Sequence, residues 1–269
     1  MMTKHFPRSW PNAFIFRLGG LLLALFVAQT PAYAQDQDPL ETYNRAIYSF
    51  NDTVDKALLK PLAQTYKAVT PEFVDEGVTN FFGNLGDVIT LANNLLQFKL
   101  DMAAQDSVRI VLNSTFGVLG FFDVATPLGI AKNQEDFGQT LGVWGVGEGY
   151  YIVLPLLGPS STRDIWRLPV DYFFTPVTYV DPASDRFIMR GLELIDTRAD
   201  LLRVERAFGD AALDPYAFQR EAYLQRRRNL VFDGNPPSIQ INFDEEFEPD
   251  AESPATESSP QQNPLPATE

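Results

Sequence analysis

Apolar residues recur at steps of three and four in several segments, the spacing that puts them on one side of a helix. After Asp38-Pro39 they are Leu40, Tyr43, Ile47, Phe50, Val54 and Leu58, a single stripe that Pro61 is expected to break. After Thr70-Pro71 come Phe73, Val74, Val78, Phe81, Phe82 and Leu85. That face is wider, because adjacent Phe81 and Phe82 cannot share a narrow stripe. After Asp181-Pro182 the stripe is Ile188, Leu192, Ile195, Ala199 and Leu202, with Gly209 as its expected stop. A fourth segment follows Asp214-Pro215, with Tyr216, Tyr223 and Leu224. It nears its end at Arg226-Arg227-Arg228, where positive charge suits a helix C-terminus, and Asp233-Gly234 closes it. Each of the four starts sets a capping side chain before a proline at the expected first helical position. Glu41, three residues after Asp38, completes a capping box.

Two segments depart from this pattern. Ile110 to Phe122 carries no charge and is too short to span a bilayer as a straight helix; it suits a core helix or an interfacial segment. Glu135 to Asp164 has glycines at 138, 142, 145, 147, 149 and 158. They fit neither G-x-G-x-x-G nor a Gly-Lys-Ser/Thr phosphate loop. Within it, Tyr150 to Leu154 reads as a strand between glycines and Pro155, so a short hairpin or an extended loop is expected there. No internal repeat is visible. The fold class is all-α with one Gly-rich insertion.

Composition narrows the picture at both ends. Residues 1–34 read as a cleaved signal peptide: Lys4, Arg8 and Arg17, an apolar Leu18 to Val27, then Ala32-Tyr33-Ala34 before Gln35. The segment from Asn242 to Glu269 has eight acids, no bases and five prolines. It cannot bury enough apolar surface to offset its ordering entropy, so 236–269 is expected to be a disordered acidic tail. One domain over 35–235 remains. Without the leader, 18 bases face 35 acids, a net charge of −17, and −9 once the tail acids are left out. Such a body will not neutralise nucleic-acid phosphates, and any hold on a membrane must come from apolar burial.

The candidate chemistry is thin. There is no cysteine, and the one histidine, His5, lies in the leader. That removes the Ser-His-acid triad, the Cys-His pair and zinc sites built on imidazole or thiolate. No G-x-S-x-G elbow and no nucleotide signature occurs. Glu135, Asp136, Glu148 and Asp164 leave room for an acid–base pair, although caps or partners for arginines such as Arg163 are the blander use of them. No metal or cofactor is expected.

Several runs, taken in order, resemble the MlaA (VacJ) family: DPLETYNRAIYSFND at 38–52, LKPLAQTYKAVTP at 59–71, VTNFFGNLGDVITLANNLLQFK at 78–99, and RIVLNSTFGVLGFFDVAT at 109–126. So do EDFGQTLGVWGVGEGYYIVLPLLGPSSTRD at 135–164 and DPYAFQREAYLQRRRNLVFDG at 214–234. The resemblance implies a ring-like bundle of amphipathic helices in the periplasmic leaflet of the Gram-negative outer membrane, around an amphipathic channel. It implies passive removal of mislocalised phospholipid from the outer leaflet and transfer to a soluble periplasmic lipid carrier, with a trimeric porin as partner. It implies no enzyme. The family is commonly anchored through a cysteine after the signal. Here Gln35 stands at that place, so an exported, unlipidated member is expected.

Exposing about 30 methylenes of a phospholipid to water at ~0.8 kcal/mol each costs on the order of 20 kcal/mol, so passive transfer needs an apolar path with polar company for the head. Phe81, Phe82, Asn84 and Leu85, with Asn94 and Leu95, form one such mixture; Phe116, Phe121 and Phe122 beside Asn113 and Ser114 form another. Trp144, Tyr150 and Tyr151 are expected at the channel mouth. Gly142, Gly145, Gly147 and Gly149 are expected to let the backbone turn tightly there. Two other readings stay open: a periplasmic carboxylate-dependent lipid hydrolase, and a porin adaptor that moves no lipid.

Overall fold

The computed structural model describes residues 38–208 and 213–237. The expected leader, the Gly209 stop and almost all of the expected acidic tail lie outside them. Among the described residues the regular structure is helical apart from one hairpin. Helix α1 (Glu41–Val54) runs through a wider π-helical turn (Asp55–Leu59) directly into α2 (Lys60–Val69). Pro61 therefore does not end the segment. It sits in the first turn of α2, where its missing N–H costs little, and the π turn absorbs the mismatch before it. A long antiparallel pair follows, α3 (Glu72–Leu96) and α4 (Leu100–Thr115). Then come the short α5 (Phe137–Val143), strands β1 (Tyr151–Leu154) and β2 (Gly158–Ser161), and α6 (Arg167–Phe174). Helices α7 (Ala183–Phe208) and α8 (Pro215–Val231) complete it.

Of the four expected caps, only Asp214-Pro215 works as drawn. Asp214 accepts from the Tyr216 and Ala217 amides, and Pro215 opens α8. At the other three sites the helix begins one or two residues past the proline, at Glu41, Glu72 and Ala183. The Asp38 carboxylate instead accepts from the Leu40 amide and from Asn44, and meets the Tyr216 hydroxyl.

The elements close a circuit. α1 packs on β1, β2 on α8, α8 on α5, α5 on α3, α3 on α7, and α7 on α2, which is continuous with α1. The β hairpin is spliced into this circuit by two asparagines seven residues apart, hence on one face of α1. Asn44 donates to the Tyr151 carbonyl (3.1 Å) and accepts from the Val153 amide (2.8 Å). Asn51 does the same for the Leu154 carbonyl (2.9 Å) and the Leu156 amide (2.7 Å). The side chains of a helix thus take the place of a neighbouring strand and satisfy an edge that would otherwise be bare.

Burial is inverted relative to a protein surrounded by water. Among the described residues the apolar core is two small clusters, one of Tyr151, Val153, Tyr216 and Leu224, the other of Ala63, Ala199 and Leu202. Along α3 and α4 most of the buried side chains are polar, and several pair across the helices: Asn94 with Asp106 (2.7 Å), Asn84 with Ser114 (3.0 Å), Asp87 with Arg109 (3.5 Å). Meanwhile Tyr43, Phe50 and Leu58 of the α1 stripe are exposed, as are Phe98 (84%), Phe116 (72%) and Phe187 (75%). Exposed apolar surface on this scale marks a membrane or partner, and polar pairs between helices are what holds helices together when their outer faces meet hydrocarbon. No helix among the described residues is long and apolar enough to cross a membrane.

Candidate functional site

Inside the circuit lie two adjoining cavities. The larger, of about 1490 Å³, is walled by α1, α2, α7 and α8. Leu201, Leu202, Val204 and Phe218 give it an apolar side, and Lys56, Lys60, Lys67 and Arg226, with Asp52 and Glu205, a charged one. The smaller, of about 680 Å³, lies between α3, α6 and α8 and the loop at 132–136. Charged and amide side chains recur along its wall: Asp87, Lys132, Gln134, Asp136, Arg167, Asp171, Arg190 and Arg226. Tyr223 and Arg226 of α8 belong to both walls, so the cavities meet at that helix. The larger volume exceeds that of drug-sized pockets, and both walls mix apolar with charged groups, as a lipid's two ends require.

The polar wall is held rigid by a buried charge network. Asp164 is fully buried and accepts from Arg163 (2.8 Å), Arg227 (2.8 Å) and the Tyr223 hydroxyl (2.7 Å). Burial alone would lift its carboxyl, but the Arg163 hydrogen bond and the two guanidinium charges hold it at about 2. Arg227 also grips Asp136 with both terminal nitrogens, at 2.6 and 2.9 Å. Asp136 in turn caps α5 by accepting from the Gln139 amide. One guanidinium thereby ties α8, α5 and the β2–α6 connection together. Asp171 has the opposite fate. Burial pushes its carboxyl up to about 6, against the hydrogen bonds it accepts from Asn93 and the Phe137 amide. Glu135 is bound by Gln97 and Lys99, and Lys99 also reaches Asp233 beyond the end of α8. Of the four carboxylates considered for acid–base work, three are thus tied into structural hydrogen bonds. Glu148 is partly buried and raised, chiefly by burial.

The residues expected to line a channel are placed elsewhere. None of the twelve appears in either cavity wall. Asn84 and Asn94 are buried as rungs between α3 and α4, and Phe82 is buried edge-on to the half-buried Phe81. Leu85 is half-buried on the same helix. Tyr151 belongs to the core cluster beside the hairpin. Phe121 packs against Gly77, where a Cβ would overlap its ring. Leu95, Phe116, Phe122, Trp144 and Tyr150 are exposed, and the Trp144 indole donates to the Leu96 carbonyl (3.2 Å). Arg109 and Asn113 hold the turn after α4 from within. Arg109 donates to Thr126, Asp123 and the Ile130 carbonyl, and Asn113 accepts from the Val124 and Ala125 amides. That leaves Phe116, Val118, Leu119 and Phe122 to face outward.

The glycines do different jobs. Gly149 has φ +69°, and a Cβ there would overlap the Thr162 hydroxyl. Gly145 has φ +91° with open space around it. Gly142 lies in α5 against Val231 of α8, and Gly147 is in the exposed segment before the hairpin.

Sequence reasoning missed the wall residues, above all Arg167, Arg226 and the charged pairs around Asp136. The signal that could have found them is the Arg226-Arg227-Arg228 run. Successive residues on a helix point about 100° apart, so three arginines in a row cannot all serve its C-terminus.

Comparison with known proteins places this geometry. The family described as "MlaA lipoprotein" matches residues 36–230. The "Intermembrane phospholipid transport system lipoprotein MlaA" of Escherichia coli (strain K12) is 34% identical over 211 residues, 76% of this chain and 82% of that protein. The protein of the same name from Haemophilus influenzae is 30% identical over 209 residues, 76% and 83% of the two chains. An "Uncharacterized protein" of Rickettsia bellii is 34% identical over 195 residues, 72% and 76% of the two. A structure solved under the description "Structural basis for maintenance of bacterial outer membrane lipid asymmetry" superposes with a TM-score of 0.63 at 31% identity. It covers 74% of this chain and 100% of that one. One expectation is corrected. The missing cysteine suggested an unlipidated protein, yet the family and its Escherichia coli and Haemophilus influenzae members are lipoproteins by name. An absent thiol concerns one atom that could carry an acyl chain; it does not set a chain apart from a membrane-anchored class. On sequence over most of its length and on the fold of a solved homologue, this chain belongs to the MlaA lipoprotein family.

Proposed function

We propose that the protein is a passive conduit for phospholipid. It removes mislocalised phospholipid from the outer leaflet of the Gram-negative outer membrane and passes it to a soluble periplasmic lipid carrier, alongside a porin trimer. The observation that carries this reading is the pair of adjoining cavities within a closed circuit of helices and one hairpin, both lined by apolar and charged side chains together. Family membership supports it, since relatives are named for intermembrane phospholipid transport. The outward apolar surface supports it too, because a ring whose exterior matches hydrocarbon can sit within a leaflet while its interior carries the polar head. We place the exposed rings of Phe116, Phe122, Trp144 and Tyr150 at the lipid-facing rim, with Gly145, Gly147 and Gly149 shaping the adjoining loop and Gly142 seating α5 against α8. No step of transfer calls for a covalent intermediate, so the protein acts without catalysis.

The test is reconstitution. Purified protein in donor vesicles carrying labelled phospholipid is mixed with acceptor vesicles. Transfer of intact lipid above the protein-free rate is expected. Release of fatty acid would make the protein a hydrolase instead, and a rate equal to the protein-free control would leave only the adaptor reading.

A further inference from the structure

The charges along the two cavity walls are nearly all spoken for. In the larger cavity Lys56 pairs with Asp52 (2.7 Å), Lys60 with Glu205 (2.6 Å), and Lys67 with Asp75. In the smaller one Lys132 pairs with Asp87 (2.9 Å), Arg190 with Glu193 (3.2 Å), and Arg227 with Asp136 and Asp164. Among the described residues Arg226 has no carboxylate partner; its one hydrogen bond goes to the neutral Gln134 side chain, at 3.3 Å. It is also the only charged residue in both walls. On the larger side it faces a cavity with Leu201, Val204 and Phe218, and on the smaller side one with Arg167, which also lacks an ion-pair partner among the described residues.

An exposed cation with no counter-ion among the described residues, at the meeting point of two cavities in a body of net charge −9, is placed to meet an anion that comes and goes. A guanidinium offers a planar fork of donors that matches two oxygens of one phosphate. We propose that Arg226 is the phosphate-binding residue at the junction: a glycerophospholipid crossing between the cavities presents its phosphodiester to Arg226 while its acyl chains remain on the apolar side. This rests on the transport reading above and adds what that reading does not contain, a contact that separates phosphate-bearing lipids from lipids of equal hydrophobicity without phosphate. Gln134, a neutral partner, is readily given up when the phosphate arrives.

The experiment compares binding of fluorescent phosphatidylglycerol and of diacylglycerol with the same acyl chains to the full-length protein in nonionic detergent. Wild type is expected to prefer phosphatidylglycerol by about tenfold, the worth of one charge-assisted pair of hydrogen bonds. Arg226→Gln should lose that preference by weakening phosphatidylglycerol alone, and Arg226→Lys, a point charge without the fork, should fall between. Arg228→Gln, two residues along the same helix and absent from both walls, should match wild type. Inorganic phosphate in excess should not displace the lipid; displacement would mean a site for free phosphate and overturn the lipid proposal. Equal preference in wild type, Arg226→Gln and Arg226→Lys, with unchanged helix content, overturns it as well. If wild type binds and transfers phospholipid while the variants behave identically, only this inference falls. If wild type neither binds nor transfers, the transport reading falls first.

Discussion

Arg227 is the most demanding test of how the cavity wall is built. Replacing it with leucine keeps the volume and removes the charge. Asp136 then loses both of its guanidinium hydrogen bonds and keeps the Gln139 amide, whereas fully buried Asp164 still has Arg163 and the Tyr223 hydroxyl. Breaking a buried ion pair from one side costs about 3–5 kcal/mol. Because Asp164 keeps a cation, the lower end, about 3 kcal/mol, is expected for Arg227→Leu. Urea unfolding in detergent, followed by circular dichroism, measures it. The pH dependence identifies the cause. In wild type Arg227 holds the Asp136 carboxyl below its ordinary value despite burial, and Arg163 together with Arg227 does the same for Asp164. Their contribution is therefore present above the unfolded pKa near 3.9 and is lost as pH falls through the folded values. In the variant the Asp136 carboxyl is raised by burial, with only the weaker Arg167 charge left to oppose it. The deficit should be full near neutral pH and shrink as acid protonates that group. The double variant Asp136→Asn, Arg227→Leu should recover most of the loss, since it leaves no buried charge unpaired. A deficit under about 1 kcal/mol, or one that is the same at acid and neutral pH, would refute the network as described.

Two further outcomes follow from single side chains. Asp171→Asn should stabilise the protein near neutral pH by about 1–2 kcal/mol, measured by the same unfolding assay: the wild-type carboxyl sits at about 6, so its native-state stability is complete below about pH 4 and is lost as pH rises through that value. The two proteins should converge in acid, and a constant difference would count against the assignment. Gly149→Ala should destabilise by about 1–2 kcal/mol or more, because the new Cβ meets both a left-handed backbone and the Thr162 hydroxyl. Gly145→Ala, with the same sign of φ and open space, should cost only the backbone part; thermal melts of the pair that came out equal would mean that Thr162 gives way.

Much of the fold was legible because helix periodicity is a local property. The stripes after residues 38, 70, 181 and 214 each became a helix, and the run from Tyr150 to Leu154 became half of a hairpin, because one strand between glycines needs few distant contacts to be recognised. The capping prolines were less reliable. A proline at a helix start fixes its own φ but does not say which residue first accepts an i+4 bond, and three helices began past it. The candidate lining was not legible. Phe82, Asn84 and Asn94 do have the mixed character a lipid path needs, yet that same mixture also suits packing between two helices whose outer sides are apolar, and periodicity cannot separate the two uses.

By itself the sequence determined the helical class, the one strand-like run in the Gly-rich segment, the absence of imidazole and thiol chemistry in the body, and the kinship. All of these are written in residue type and short-range spacing. Only the tertiary structure decided which way each amphipathic helix turned. The stripe of Tyr43, Phe50 and Leu58 points out and Asn44 points in, a choice set by what surrounds the helix and therefore invisible along it. It also decided which charges face a cavity. Arg226, Arg227 and Arg228 are chemically identical and adjacent, but each 100° step of α8 delivers the next one to different neighbours, and those neighbours are distant along the chain, Gln134 by 92 residues from Arg226 and Asp136 by 91 from Arg227.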